Sequence, residues 1–385
     1  MNLNVSIAHL FLSFLRLGTT AFGGPAMIAH IKTLSVERNR WLDEDTFNDG
    51  IVLCQSLPGA TAMQMAAYVG LKSQGIVGAL ASYIGFGLPA FILMLALSAL
   101  YAVAHKLSMV VSLFSGLQVI VVALVANAAY TFGKTVLKGY LPAFMAAASA
   151  VLFWKGVNPF LIIIGAGSAG AFLFIKSESV SAPLPPLNKY KGAYGPVIIL
   201  STIVLGGLFT LSIVDKDLFH LAALMLKIDL VAFGGGFASV PLMLHEIVDV
   251  RTWIDSKTFM DGIALGQVTP GPIVITSTFV GYILYGFVGS VVATIAIFTP
   301  SFLILTAAVP VFDRLKSSKY FAGISKGIFS SFVGLLLFAT IKFAINVPWD
   351  IIRALLGLVA LAALIKKIDI LYVVLIGAAI SLVLF

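Results

Sequence analysis
Apolar residues fill this chain in long blocks, and short polar links divide the blocks into segments. Segment A, residues 5–30, is apolar apart from Arg16 and runs into a Gly-Gly-Pro break. After a polar link from Lys32 to Asp45, residues 46–72 read as two short helices split at Leu57-Pro58-Gly59. Neither piece reaches the length of about 20 residues that a full membrane crossing requires. Segment B spans 76–104 with Pro89 inside it, C spans 111–133, and D and E span 137–154 and 157–176. Residues 177–195 carry three prolines and two lysines in a polar stretch and predict a linker. An extra apolar segment F, 196–214, leads into a second series: A′ at 217–241, a split pair at 258–283, B′ at 287–312, then C′, D′ and E′ to Phe385. The expected fold is all-α, with a first half over 1–176, a linker plus one additional transmembrane helix over 177–215, and a second half over 216–385. Six segments, one extra and six more make roughly 13.

The second series is a copy of the first. Phe22, Gly23 and Gly24 recur as Phe233, Gly234 and Gly235, and Trp41, Phe47, Asp49, Gln55, Pro58 and Gly59 recur as Trp253, Phe259, Asp261, Gln267, Pro270 and Gly271. Farther out, Gly70, Gly75, Gly78 and Pro89 return as Gly281, Gly286, Gly289 and Pro300. Each copy therefore places Gly-Gly and Pro-Gly breaks inside apolar sequence. Lipid cannot satisfy freed backbone groups, so such breaks persist only where protein or a wet cavity covers them. Broken segments at matching places in two halves are the best sequence pointer to a transporter's binding site.

Loop charges bear on orientation. Arg314, Lys316 and Lys319 between B′ and C′, and Lys366 and Lys367 between D′ and E′, belong on the cytoplasmic side by the positive-inside rule. In the first half the basic loops are the alternate ones, with Lys134 and Lys138 between C and D and Lys176, Lys189 and Lys191 in the linker. The unpaired segment F between the halves would invert the second, and inverted halves satisfy most loops. The link with Lys32, Arg38 and Arg40 is the one that then lies outside.

Composition agrees: 60% of residues are hydrophobic, 10% are charged and the mean hydropathy is +1.07, far from soluble domains at about 25% charged. The net charge of +8 sits largely in short loops, where it meets anionic lipid headgroups and indicates no nucleic-acid partner. Cys54, the single cysteine, excludes an intramolecular disulfide and reads as core packing. The opening residues lack the pattern of a signal peptide, so the first segment is expected to stay as a helix.

Candidate chemistry follows the duplication. Arg16 and Lys227 occupy the same place in the two copies, six residues before Phe-Gly-Gly. Cations at depth are costly and face a cavity or a partner, so the pair suggests an anion site; the alternative is that both snorkel to the interface. Asp229, two residues after Lys227, has no counterpart in the first copy. The breaks at Gly23, Gly24, Pro58 and Gly59, and at Gly234, Gly235, Pro270 and Gly271, precede new helices whose free N–H groups attract anions. Thr61 and Thr269 stand at those starts, and Gln55 and Gln267 lie just before the breaks, placed to donate to an oxyanion. The glycines could instead serve close helix packing. Asp49 and Asp261 offer either proton uptake or a local hydrogen-bond network. Asp43 and Asp255, beside Trp41 and Trp253, read as helix N-caps with interfacial tryptophans. His245-Glu246 lacks the second histidine of a zinc-protease helix, no phosphate-binding G-x-x-x-x-G-K-[ST] loop exists, and Gly234 to Gly236 lie outside any βαβ setting. Neither an enzyme nor a bound cofactor is expected.

Phe22 to Pro25 (F-G-G-P), Arg40 to Leu42 (R-W-L), Cys54 to Gly59 (C-Q-x-L-P-G) and Gly87 to Phe91 (G-L-P-A-F), with F-G-G-G, W-I, G-Q-V-T-P-G-P and T-P-S-F in the second half, resemble the chromate ion transporter family in its long, two-half form. Gly236 in place of the first-half proline and Thr269 in place of Leu57 are departures that make the halves unequal. The resemblance implies a multi-pass protein of the cytoplasmic membrane that exports chromate, and sulfate or another oxyanion would meet the same charges. The resulting expectation is a secondary transporter, driven by membrane potential or proton exchange, with the anion between Arg16, Lys227 and the helix starts, and with one half rocking on the other. A channel or proton-coupled carrier for a different small solute is the alternative. Assembly as a homo-oligomer is compatible with this reading.

Overall fold
The computed structural model describes residues 5–22, 24–174, 194–312 and 318–385. Gly23, most of the expected linker, and Arg314 and Lys316 lie outside the described residues. The first half contains α1 (Ile7–Gly18), α2 (Gly24–Lys32), α3 (Glu44–Ser56), α4 (Thr61–Ala104), α5 (Ser108–Val136), α6 (Tyr140–Trp154) and α7 (Pro159–Leu173). After α8 (Gly195–Val214), the second contains α9 (Lys216–Val231), α10 (Ser239–Met243), α11 (Ser256–Val268), α12 (Thr276–Ala308), α13 (Lys319–Ile345), α14 (Ile351–Ile365) and α15 (Ile370–Leu384). The chain is an all-α, polytopic membrane protein of two homologous halves. Among the described residues five helical stretches are long and apolar enough to cross a membrane, and five shorter apolar helices accompany them.

Local chemistry sets the helix starts. Asp43 and Asp255 cap α3 and α11 as the sequence predicts, accepting hydrogen bonds from Thr46 N–H at 2.8 Å and Thr258 N–H at 2.9 Å. The Thr46 backbone and hydroxyl donors hold the Asp43 carboxyl below its ordinary pKa. Trp41 does not sit at the lipid interface: it is 5% exposed and packs on Phe14 and His9, which anchors the polar link to α1.

The split pairs are hairpins that enter and return. In the first, Tyr68 OH donates to Thr46 O at 3.2 Å, so residue 68 lies back beside the start of α3. In the second, a Cβ on Gly262 would fall 2.4 Å from the Phe279 ring and one on Gly266 3.1 Å from Thr276 Oγ1, an antiparallel register. A second reversal follows within α4 and α12, at Gln74-Gly75 and Tyr285-Gly286, where the glycines take φ of 62° and 60°. These reversals press helix backbones together: a Cβ on Gly70 would lie 2.1 Å from Gly78 O, and one on Gly281 2.2 Å from Gly289 O. Gly70, Gly75 and Gly78, and their copies Gly281, Gly286 and Gly289, thus serve a tight reversal and close helix packing in each half.

The halves exchange their last helices. α6 and α7 pack on α13 of the second half, while α14 and α15 pack on α5 of the first. Small residues allow the approach: Gly170 lies against Gly323 and Gly327, Gly334 against Ala146, and Gly116 N–H donates to Ser381 Oγ at 2.9 Å. A Cβ at Gly327 would fall 2.1 Å from the Ala166 carbonyl oxygen, which belongs to rigid backbone. Gly327→Ala is therefore expected to destabilise the protein by about 1–3 kcal/mol, read as a lower thermal midpoint in detergent. α8, the extra segment, has no buried residue and touches the bundle mainly along α9. Its all-round apolar surface suits lipid.

Candidate functional site at the crossed hairpin tips
Each hairpin tip binds the break that follows the opening helix of the other half. Gly59 N–H donates to Ala232 O at 2.9 Å, and its equivalent Gly271 N–H donates to Ala21 O, the equivalent carbonyl, at 3.0 Å. Pro58 and Phe233 extend the first contact as an antiparallel bridge. Reciprocal contact between matching residues is the signature of a two-fold relation between the halves. Gly59 and Gly271, with φ of 110° and 102°, supply the left-handed turn that points these N–H groups outward.

The second arms of both hairpins begin against the break after α9. Thr61 Oγ1 lies 3.5 Å from where a Cβ on Gly235 would stand, and Ile273 N lies 3.6 Å from that position on Gly236. Gln64 N–H makes the first helical bond of α4, to Ala60 O, so the N–H groups of residues 61–63 have no helical acceptor. Pro58, Gly59, Thr61, Gly234, Gly235, Pro270 and Gly271 are thus brought to one locus, as the duplicated breaks suggest. Gly234 (φ 95°) abuts the ring of Phe132, which walls the locus from the α5 side. Thr269 is buried and donates back to Gly266 O at 2.9 Å. Gly24 begins α2 at the other break. Gln55 is exposed at the end of α3, and Gln267 is half-buried, so neither glutamine occupies the locus as a buried donor.

The two tips differ sharply in polarity. At the first, Gly59 sits on a buried cluster in which Asp229 Oδ2 accepts from Ser301 N–H at 2.7 Å and Ser301 Oγ–H at 2.5 Å. Gln64 donates to Pro58 O at 2.7 Å, and a Cβ on Gly59 would lie 1.9 Å from Ser301 Oγ and 3.3 Å from Asp229 Oδ1. Pro300 lies just before Ser301 in α12, and prolines in helix interiors disturb the ladder and leave such an N–H available. At the second tip the equivalents of Asp229 and Ser301 are Gly18 and Ala90, and Gly271 abuts the methyl of Ala90.

The paired cations stand apart from one another in environment. Lys227 donates to Glu246 at 2.8 Å and lies 3.8 Å above the Phe160 ring, while Arg251 also pairs with Glu246. Glu246 is buried, and two cations compensate its charge. Lys227 is therefore one side of an internal ion-pair cluster. Arg16 is exposed in the last turn of α1, where a cation complements the helix dipole, and no described residue forms a salt bridge with it. Glu246→Ala leaves Lys227 and Arg251 without their carboxylate, but both cations reach solvent, so the expected cost is about 1–3 kcal/mol of stability, read by thermal unfolding. The equivalent position in the first half is Leu34, whose carbonyl accepts from Asn39 N–H as that of Glu246 accepts from Arg251 N–H.

Asp49 and Asp261 also separate. Asp261 is buried, and both its oxygens accept hydrogen bonds, from Gln118 at 2.8 Å and Tyr101 at 2.9 Å, on α5 and α4 of the other half. Asp49 is exposed on α3. A crevice of about 400 Å³, lined by Ile163, Gly167, Phe172, Phe233 and Ile328, opens beside the Phe233 end of the break; among its described lining residues Ser168 has the one polar side chain and none is cationic. Sequence reasoning missed Gln64, Ser301, Gln118 and the counter-charge role of Glu246. A lone glutamine within an apolar helix was the available signal for the two glutamines.

A sequence profile of the chromate transporter family matches the chain twice, over residues 8–171 and 219–382. An uncharacterised transporter of Methanocaldococcus jannaschii is 44% identical over 97% of this chain and 93% of its own length. Chromate transport proteins of Cupriavidus metallidurans and Pseudomonas aeruginosa are each 30% identical, covering 94% and 88% of this chain and 88% and 82% of their own lengths. No solved structure matches the chain.

Proposed function
Because this chain belongs to the chromate transporter family, in its two-repeat form, we propose that it exports chromate, or a like-shaped divalent oxyanion such as sulfate, across the cytoplasmic membrane. The observation that carries this reading is the convergence of the start of α4, at Thr61, and of the short 3-10 turn Ile273–Ile275 that leads into α12, on the side-chain-free segment Gly234 to Gly236. Free N–H groups and two positive dipole ends meet there, and the absence of side chains at Gly234 to Gly236 lets both helix starts approach the backbone closely. Thr61 adds a hydroxyl donor. Lys227, held by Glu246, and exposed Arg16 act at a distance, raising the local concentration of anions rather than ligating one.

The halves lie in opposite orientations across the membrane, with α8 supplying the odd crossing between them. Each half grips the last two helices of the other, so rocking of whole halves would tear both exchanges. Alternating access instead moves the hairpin tips against the α1, α9, α5 and α13 scaffold, making and breaking the Gly59–Ala232 and Gly271–Ala21 hydrogen bonds. With a negative interior, expelling a divalent anion is favoured by about 4.6 kcal/mol per 100 mV, twice the single-charge value.

The test is uptake of labelled chromate and sulfate into proteoliposomes under an imposed potential. Saturable, potential-driven flux of at least one anion is expected from the unaltered protein. Gly236→Leu, whose backbone is free of positive-φ strain, should push against Ile273 and Val274, whose side chains lie 2.9 Å and 3.2 Å from its Cβ position, displace the second helix start and lower that flux by about tenfold, the effect of losing roughly 1.4 kcal/mol of binding. Absence of flux for both anions in the unaltered protein would sink the proposal.

A further inference from the structure
Two side-chain oxygens at the first hairpin tip are buried and accept no hydrogen bond from any described residue: Asp229 Oδ1 and Gln64 Oε1. Asp229 is 1% exposed and Gln64 is 0% exposed. The amide orientation of Gln64 is fixed, because its nitrogen faces two acceptors, Pro58 O at 2.7 Å and Ser301 O at 3.4 Å. Ser301 meets both side chains, donating to Asp229 Oδ2 through its N–H and hydroxyl. The cluster therefore holds two orphan acceptors and no spare donor. A buried carboxylate without a cation, beside a second unpaired acceptor, is strongly disfavoured. One proton on Oδ1 removes the charge and turns an acceptor into a donor.

We propose that Asp229 is a proton-binding site, and that its protonation and deprotonation seat and release the first hairpin tip. Its place in a transport cycle rests on the oxyanion-transport reading above; the protonation itself does not. The surroundings select a proton over a metal ion. Hard divalent cations take six or more oxygens, whereas two are free here, and the missing Cβ of Gly59 would already lie 1.9 Å from Ser301 Oγ. Of the elements packed on α9, α8 and α10 contain no titratable side chain, and the tyrosines of α12, Tyr282 and Tyr285, lie at or before its kink, whereas Ser301 lies beyond it. From α4, Tyr83 faces the carboxyl, and its hydroxyl donates to Phe298 O at 2.7 Å. On α9 itself Lys227 is engaged with Glu246. Ionised Asp229 would be left with Ser301 alone.

The site exists once. Its symmetry mates are Gly18 and Ala90, so the second tip keeps the same backbone latch with no titratable group. A chain duplicated in architecture thereby carries proton chemistry on one side and leaves the other tip free of negative charge. Asp261, whose two oxygens are both satisfied, is not a second such site.

The direct test is infrared difference spectroscopy of the full-length protein in lipid vesicles across a pH titration. A protonated carboxyl band should appear as pH falls, vanish in Asp229→Asn and persist in Asp261→Asn. Carboxyl bands that titrate identically in Asp229→Asn and in the unaltered protein, with no band lost, overturn the proposal. Should Asp229→Asn fail to fold, Ser301→Ala serves instead: loss of one donor should move the band to higher frequency, and an unmoved band overturns the assignment. Transport is read separately. For one coupled proton the anion accumulation ratio of the unaltered protein should change about tenfold per unit of imposed pH gradient, and Asp229→Asn should abolish that response. A full response in Asp229→Asn overturns the coupling role. A carboxyl band assigned to Asp229 without chromate or sulfate flux supports the protonation site and rejects the transport reading.

Discussion

Gly59→Ala should eliminate anion flux, while Gly75→Ala, at another glycine with positive φ, should leave most of it intact. Gly59 has φ of 110°, its Cβ would collide with Ser301 Oγ at 1.9 Å, and its N–H must reach Ala232 O. Backbone strain of about 1–3 kcal/mol adds to overpacking of about 1–3 kcal/mol. Even the lower sum, about 2 kcal/mol, would reduce occupancy of the seated tip about thirtyfold. Gly75 has φ of 62° but nothing within 4 Å of its Cβ position, so only the strain remains. Gly271 falls between them, since its Cβ would meet the methyl of Ala90 at 3.0 Å. Flux in proteoliposomes, paired with thermal unfolding in detergent, would order the three variants. Equal losses at Gly59 and Gly75 would show that the tip contact is not specifically required.

Asp261→Ala should destabilise the protein by about 2–6 kcal/mol, because Gln118 and Tyr101 would each keep a buried donor with no acceptor, at about 1–3 kcal/mol apiece. Its repeat partner Asp49 is exposed, where side-chain interactions contribute about 1 kcal/mol or less, so Asp49→Ala is expected to cost less than Asp261→Ala. Thermal midpoints of the two variants test the contrast. The carboxylate ties α11 to two helices of the other half, so the loss should appear in whole-protein unfolding rather than in one segment. A drop in Asp49→Ala as large as that in Asp261→Ala would remove the distinction.

The duplicated sequence made the architecture legible. Its repeated Gly-Gly and Pro-Gly positions mark helix boundaries, and the split pairs at 46–72 and 258–283 emerge as arms 44–56 with 61–73 and 256–268 with 276–284. The convergence of Pro58, Gly59, Gly235 and Gly271 follows from the same signal, since breaks need shelter from lipid. What lay hidden was partner choice. Lys227 read as half of an anion site with Arg16, because Glu246, 19 residues later, reaches it only through the turn after α9. Asp229 read as an unmatched charge, and nothing local in the chain foretells that residue 301 supplies both its donors. Trp41 carried the usual mark of an interfacial anchor, and only the fold of the polar link onto α1 brings it inside. Pairings over such separations are properties of tertiary packing, to which periodicity and composition are blind.

The exchange of terminal helices has a consequence for biogenesis. α6 and α7 leave the ribosome long before α13, the helix they pack against, has been made. Until that moment the glycine-lined faces around Gly167 and Gly170 have only lipid or chaperone to cover them. The early half inserts but waits, and its assembly is completed by a segment more than 140 residues downstream of α7's last turn, at Lys319–Ile345. Contacts of this separation slow folding and leave partly assembled chains open to faulty association. Messages truncated before residue 319 should therefore yield membrane-inserted products that quality-control proteases remove, whereas the missing half, supplied as a second polypeptide in the same membrane, should protect them.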